Sequence, residues 1–284
     1  MEIFENTPLW VKAFSSQQHP HHTELIDFLK AEFQDVRTRA KALVGEIAID
    51  LPHYTVHDIT HLDALWSVAS QIVGEAISIN AVEGFILGCS FLLHDAAMSI
   101  AAYPGGLAAI KSSKQWKKAA ARVGITEEGE VDQHLVMQLF LREQHAQHAA
   151  DLPFTIWDSP DGPRALIENS DLRSKFGKYI GELSASHWWT YEKLEAEFST
   201  KIKSCPPPFP IEWSIDLLKL ACILRTADAA HVDERRAPGF IFALRRNRLP
   251  RVSASHWRFQ NRIHPTSKAG RCAILFCHPS LRSQ

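Results

Sequence analysis

The residues from 80 to 98, NAVEGFILGCSFLLHDAAM, decide the fold. Asn80 is a favourable helix N-cap, and the residues that follow it are apolar on nearly every side of a helix. A helix without a polar face belongs in the middle of a domain, so its last residues, His94 and Asp95, are expected to be buried or to line a cleft. Burying an aspartate requires a cation or several hydrogen-bond donors, so this helix end is a candidate metal site. The alternative is a capped helix end at which His94 and Asp95 are solvated.

Helical spacing of apolar residues recurs on both sides of this central helix. The predicted helices cover residues 22–47, 60–77, 131–150, 172–189, 191–203 and 211–230. The turn AAYPGG at 101–106 leads into a lysine-rich helical insertion at 107–124, which could serve as a lid. The segment CPPPFP at 205–210 excludes helix because proline lacks the backbone N–H.

The residue pattern of the chain changes beyond Pro238. The stretches ASHWRFQNRI at 254–263 and CAILFC at 272–277 have the β-branched and aromatic content of strands. The sequence therefore predicts a mainly α fold. A helical domain covers residues 1–235, with its core at about 50–235, and a basic, β-containing tail follows at 236–284. The tail could also be the start of a further domain.

Composition places the chain among folded globular proteins, with 45% hydrophobic and 22% charged residues. The five cysteines are widely spaced and include no CxxC pair, which argues against a disulfide framework and favours a reducing cytoplasm. The start MEIFENTPLWVKAF lacks the regions of a signal peptide, and no apolar run approaches the roughly 18 residues of a membrane span. We therefore expect a cytoplasmic protein without a membrane partner.

Charge is concentrated at the C-terminal end of the chain. Residues 234–284 contain eleven Lys or Arg against one acidic residue, Glu234, which gives a net charge of +10. Such a segment would attract a phosphate-rich partner such as a nucleic acid. The candidates for phosphate or nucleic-acid binding are Arg235, Arg236, Arg245 and Arg246. The alternative is that these arginines are solvated or pair with acidic residues elsewhere.

Histidines point to a metal, since the chain has fifteen and several fall near predicted helix ends. The order His61, His94-Asp95 and Asp228 resembles the H…HD…D signature of the HD superfamily of metal-dependent phosphohydrolases. The resemblance is carried by TVHDITHLDALWSVA at 55–69, SFLLHDAAM at 90–98 and LRTADAAHVD at 224–233, and it covers roughly residues 50–235. It implies an HD helical bundle in which these four residues hold a divalent ion (Mn, Mg, Ni, Co, Fe or Zn).

Two further histidines, His145 and His187, resemble the positions at which two-metal members of the superfamily place extra ligands. If both bind, the site would hold two ions with Asp95 as the bridge between them. His148 follows His145 on the same helical face and could replace it. Each of the three could instead be an ordinary polar residue on the rim of a helix.

The resemblance implies hydrolysis of a phosphoester by a metal-activated water, with Asp95 at the centre. Asp58, or a histidine that binds no metal, could act as general acid, although the His57-Asp58 pair could also cap a helix or face the substrate. Arg142 and Arg225 each lie one helical turn before a proposed ligand and could clamp phosphate oxygens. Their alternative is a salt bridge on the helix surface.

Three functions remain open at this point. The first is hydrolysis of a nucleotide or related small phosphoester, and the second is a nuclease that holds DNA or RNA with the basic tail. The third is a non-catalytic module that senses a nucleotide and signals to an effector, against which the intact ligand set argues. The amino-acid sequence also resembles the HD modules of bacterial conflict and nucleotide-signalling proteins (HD-CE-like). That resemblance implies a fused or associated ATPase or other effector, a role in anti-phage defence, and a chain that could be part of a longer protein.

Overall fold

The computed structural model describes residues 3–15, 20–124, 131–199 and 202–231, together with residues 240, 243 and 244. These residues form a mainly α structure, which confirms the predicted fold class. The helices are α1 (Pro8–Phe14), α2 (Thr23–Gly45), α3 (Ile47–Asp50), α4 (Ile59–Val73), α5 (Ala81–Leu93), α6 (Gly106–Ser112), α7 (Lys114–Val123), α8 (Gln133–Ala149), α9 (Ser170–Ala185), α10 (Tyr191–Phe198) and α11 (Leu217–Ala230). The strands are β1 (Ile156–Trp157), β2 (Arg164–Ala165), β3 (Ile202–Ser204) and β4 (Ser214–Asp216). The predicted strands at 254–263 and 272–277, and the arginines at 235, 236, 245 and 246, lie outside the described residues.

The central helix of the fold is α5, in which every residue is buried. It packs against α1, α2, α4, α9 and α11, as expected for a helix without a polar face. Gly88 permits the close approach of α2 and α4, since a Cβ at this position would lie 2.6 Å from the Trp66 ring and 2.7 Å from the Phe33 ring. The end of α5 is therefore enclosed by other helices, which places His94 and Asp95 in the interior.

The N-terminal end of α5 is fixed by a buried carboxylate. Asn80 and Glu83 form a capping box, in which the Asn80 side chain accepts a hydrogen bond from the Glu83 N–H at 3.0 Å. The Glu83 carboxylate also accepts from Lys219 Nζ at 2.7 Å and from the Asp216 N–H at 2.9 Å. Because these groups stand at the start of α11, the contacts hold the beginnings of α5 and α11 together.

The insertion predicted at 107–124 is helical in the structure. It forms α6 and α7, and α7 packs along α8 through its buried residues Trp116 and Ala119. The N-cap of α7 is Ser113, whose hydroxyl accepts from the Trp116 N–H at 3.0 Å. A role of this segment as a lid stays a prediction.

The predicted helices at 191–203 and 211–230 are both too long. Helix α10 ends at Phe198, and β3 pairs antiparallel with β4, with Ile202 opposite Asp216. Helix α11 begins only at Leu217, because the Asp216 side chain caps it by accepting from the Lys219 N–H at 3.0 Å. A second antiparallel pair, β1 with β2, lies between α8 and α9.

None of the helices among the described residues is long and apolar enough to cross a membrane.

Candidate metal centre

The ends of several helices meet beside α5 and bring their side chains together. His94 is the C-cap of α5 and Asp95 follows it, while Asp228 lies near the C-terminal end of α11. His61 lies in the first turn of α4, just after the N-cap Asp58. One ligand atom from each of His61, His94, Asp95 and Asp228 lies within 4.8 Å of the others. The structure thus gathers the four predicted ligands into one group, which we call the first ligand group.

The distances within the first ligand group suit a single cation. His94 Nε2 lies 3.2 Å from Asp95 Oδ2 and 3.6 Å from Asp228 Oδ1, and His61 Nε2 lies 3.9 Å and 3.7 Å from the same two oxygens. Ligand bonds of about 2.1 Å that meet at about 90 to 120° would place neighbouring ligand atoms about 3.0 to 3.6 Å apart. The His94 separations lie within this range and the His61 separations slightly above it, so a small movement of His61 would let these four atoms hold one divalent ion.

A second ligand group consists of Asp95, His145 and His187. His145 lies near the C-terminal end of α8, and His187 lies in the 3-10 turn Ser186–Trp188 that follows α9. Their Nε2 atoms are 3.0 Å apart, and Asp95 Oδ1 lies 3.5 Å from the first and 3.7 Å from the second. Asp95 therefore turns one oxygen towards each group, which is the arrangement of a bridging carboxylate.

The other ring nitrogen of these histidines shows which nitrogen is available to a cation. The Nδ1 atoms of His94, His145 and His187 each face the main-chain carbonyl three residues earlier, at 3.0, 2.7 and 2.6 Å. A carbonyl oxygen can only accept, so Nδ1 carries the hydrogen and Nε2 keeps its lone pair when the ring is neutral. The Nε2 atoms of His145 and His187 are 3.0 Å apart, so their lone pairs repel each other unless a cation or a proton lies between them. This donor set fits a second metal ion.

Electrostatics of the cluster agree with a site built for positive charge. Burial lowers the pKa of His94, but the charges of Asp95 and Asp228 outweigh it and raise this pKa to about 10. Burial likewise works against the ionised form of Asp95, yet the neighbouring histidines, His94 foremost, hold its pKa well below the usual range. Burial and the charge of His94 lower the pKa of His187 to about 4. The two carboxylates thus favour positive charge at His94, and ligation through its Nε2 requires the deprotonated ring.

His61 is oriented by a residue that the sequence reasoning missed. Its Nδ1 lies 2.6 Å from Nδ1 of the buried His231, and the two rings are nearly parallel, at 2°. One of these nitrogens must donate to the other. For His61 Nε2 to keep a lone pair towards Asp95 and Asp228, the His61 Nδ1 carries the hydrogen and His231 accepts it. His231 follows Asp228 by three residues, a spacing that would have placed both on one face of a helix.

Replacing His231 should weaken metal binding through His61. In His231→Ala the acceptor is lost, and we expect about 10- to 100-fold lower affinity for the first metal ion, the size usual for partners of metal ligands. His231→Asn should recover most of the affinity, because the asparagine Oδ1 can accept from His61 Nδ1. The measurement is a calorimetric Mn²⁺ titration of each protein. Equal affinity in His231→Ala and the unchanged protein would contradict this role.

The remaining predicted site residues lie outside both ligand groups. Asp58 Oδ1 accepts from the Thr60 N–H at 2.8 Å and from the Thr60 hydroxyl at 2.6 Å, so its carboxylate caps α4, one of the roles that the sequence left open for this pair. Its neighbour His57 faces the site, with Nε2 3.8 Å from Asp95 Oδ2. The structure thus turns His57 towards the cluster and uses Asp58 as a cap, a difference that spacing does not show. A role of either residue as general acid stays a prediction.

Arg225 and His148 make contacts that were not predicted. Arg225 Nη1 donates to the Ser186 carbonyl and, at 2.8 Å, to the Trp189 carbonyl, so its guanidinium holds the turn that carries His187. A phosphate contact of Arg225 stays a prediction. The ring of His148 stacks on Tyr103 and its Nε2 donates to the Ala102 carbonyl at 2.9 Å, which leaves His145 as the ligand candidate on α8. The Arg142 side chain is exposed, and its phosphate contact stays a prediction.

Comparison with known proteins gives one match. The family model described as HD-CE matches residues 51–277, a range that contains every member of both ligand groups. No curated protein and no solved structure matches the chain.

Proposed function

The chain belongs to the HD-CE family, and on this premise we propose that it is a divalent-metal-dependent phosphohydrolase that cleaves a phosphoester of a nucleotide or nucleic acid. Family membership and the buried His/Asp cluster support an HD-type metal-dependent hydrolase in general. The observation that carries the finer proposal is the position of Asp95 between the two ligand groups. A pair of ions held by one carboxylate is the arrangement that suits in-line displacement at phosphorus.

Each residue of the site has a part in the proposed reaction. His61, His94, Asp95 and Asp228 would hold one ion, and Asp95, His145 and His187 the other. The chemistry that such ions supply is a lowered pKa of water and neutralisation of charge on the phosphoryl group. The Nε2 atom of His57 faces Asp95 Oδ2, while its Nδ1 faces the Thr55 carbonyl at 2.5 Å. We place His57 where a leaving oxygen would receive its proton.

Hydrolysis of bis-p-nitrophenyl phosphate tests the proposal directly. The protein should release p-nitrophenolate with Mn²⁺, Mg²⁺, Ni²⁺ or Co²⁺, lose this activity after treatment with a chelator, and regain it when the ion is returned. The measurement is the absorbance of p-nitrophenolate over time, together with the metal content of the desalted protein. A protein that holds about two ions but cleaves no phosphoester would favour the nucleotide-sensing alternative.

The nuclease alternative is supported by the charge of +10 at residues 234–284, which comes from eleven basic residues and one acidic residue. Single-stranded and duplex DNA and RNA, offered beside a panel of nucleotides, separate a nuclease from a small-molecule hydrolase. Cleavage of polymers that weakens steeply with salt would favour the nuclease, since backbone binding releases counterions. A fused or associated ATPase or effector, and a role in anti-phage defence, stay proposals that rest on the family resemblance.

A further inference from the structure

An exposed tryptophan stands directly beside the second ligand group. Trp188 follows His187 in the 3-10 turn, and 53% of its surface is accessible to solvent. Its ring centroid lies 4.7 Å from that of His145, at an interplanar angle of 76°. Tryptophan is among the more buried residue types on average, so an indole left open next to a cluster of this kind requires an explanation.

The adjacent tryptophan is partly buried and shows that an indole of this turn can pack against the rest of the protein. Trp189 packs on Phe198 with 5.4 Å between ring centroids, and Lys193 Nζ lies 4.2 Å from the centre of its ring. The turn itself is anchored, because Arg225 donates to the carbonyls of Ser186 and Trp189. Trp188 is therefore presented outwards from a fixed main chain.

We propose that Trp188 is a stacking platform for the nucleobase of the substrate. A planar aromatic ring offers every base a π-face, and an exposed, preorganised indole suits this contact better than hydrogen bonding. Since His145 is a member of the second ligand group, a phosphate bound at the ions would bring an attached nucleoside close to Trp188. This inference rests on the proposed function and deepens it by assigning Trp188 as the residue that contacts the base of the substrate.

The experiment compares ligands that differ only in the base. The Mn²⁺-loaded protein is titrated calorimetrically with ribose 5-phosphate and with the 5′-monophosphates of adenosine, guanosine, cytidine and uridine. We expect at least one nucleotide to bind more tightly than ribose 5-phosphate. Trp188→Ala should lower the affinity for that nucleotide by about 5- to 100-fold and leave the affinity for ribose 5-phosphate unchanged. Trp188→Phe should retain most of the preference for the nucleotide over ribose 5-phosphate.

Phe28→Ala provides the matched control, because Phe28 is an exposed aromatic residue of α2, which contributes no member to either ligand group. It should leave all affinities unchanged. The stacking role of Trp188 would be overturned if nucleotides did not bind, or if they bound with the same affinity as ribose 5-phosphate. It would also be overturned if Trp188→Ala lowered the affinities for both ligands equally. A protein that cleaves bis-p-nitrophenyl phosphate without preferring a nucleotide keeps the proposed function and loses this inference. A protein that prefers a nucleotide but cleaves no phosphoester keeps the stacking role of Trp188 and loses the proposed function.

Discussion

The Asp95→Asn protein should lose metal-dependent phosphoester hydrolysis by about 10³-fold or more, because one carboxylate serves both ligand groups. Asp95 Oδ2 lies 3.2 Å from His94 Nε2, and Oδ1 lies 3.5 Å from His145 Nε2. Asparagine has nearly the same shape but no charge, and its amide nitrogen cannot bind a cation. The readouts are turnover of bis-p-nitrophenyl phosphate with Mn²⁺ and the bound metal counted by elemental analysis, which should fall for both ions together.

Asp216→Asn is the control for this substitution. Asp216 caps α11, the helix that carries Asp228, and asparagine is an equally good N-cap. This variant should keep its turnover and its metal content. If Asp95→Asn behaves in the same way, the bridging role of Asp95 is wrong.

The largest effect on stability is expected at Gly181, in the last turns of α9. A Cβ at this position would lie 2.2 Å from the carbonyl oxygen of Ala150, a main-chain atom at the C-cap of α8. Gly181→Ala should lower the free energy of unfolding by about 3 kcal/mol, the upper part of the range for overpacking, because main chain cannot rotate out of the way as a side chain can. Urea unfolding measures the change.

Gly181→Ala should also affect the second ligand group. The close approach at Gly181 holds the end of α8, with His145, against the end of α9, which His187 follows. Moving the two helices apart would separate two Nε2 atoms that are 3.0 Å apart, so the variant should bind the second ion more weakly than the first. Gly45→Ala, with nothing within 4 Å of the added Cβ, should leave stability equal or slightly higher. Equal stability of the two variants would show that α9 can shift at little cost.

The sequence allowed prediction of those parts of the molecule in which local pattern and burial agree. Helix α5 is apolar on every side and its residues are all buried, so the enclosed position of His94 and Asp95 followed from composition alone. The pairing of β3 with β4 did not, because it joins Ile202 and Asp216 across a proline-rich segment and depends on contacts that periodicity does not record.

Side-chain direction limited the prediction of the site in the same way. The histidine and aspartate positions that the structure gathers were identified from the resemblance of their motifs to the HD superfamily. The motifs did not show which of two neighbouring side chains turns towards the cluster, as His57 and Asp58 illustrate. Arg225 lies one turn from Asp228 as predicted, but its guanidinium reaches the carbonyls of Ser186 and Trp189, which lie 39 and 36 residues away in the sequence.

The way in which the helices reach the cluster bears on the order of events in catalysis. Helices α5, α8, α9 and α11 approach it with their C-terminal ends, whereas α4 brings His61 in its first turn. Each C-terminal end carries a partial negative charge of about half an elementary charge, which adds to the two carboxylates and outweighs the single positive end of α4. This negative charge disfavours a bound phosphate, so we expect a phosphoester to bind only after the cations have reversed the sign of the local potential. Binding is therefore expected to be ordered, with the metal entering first and the substrate second.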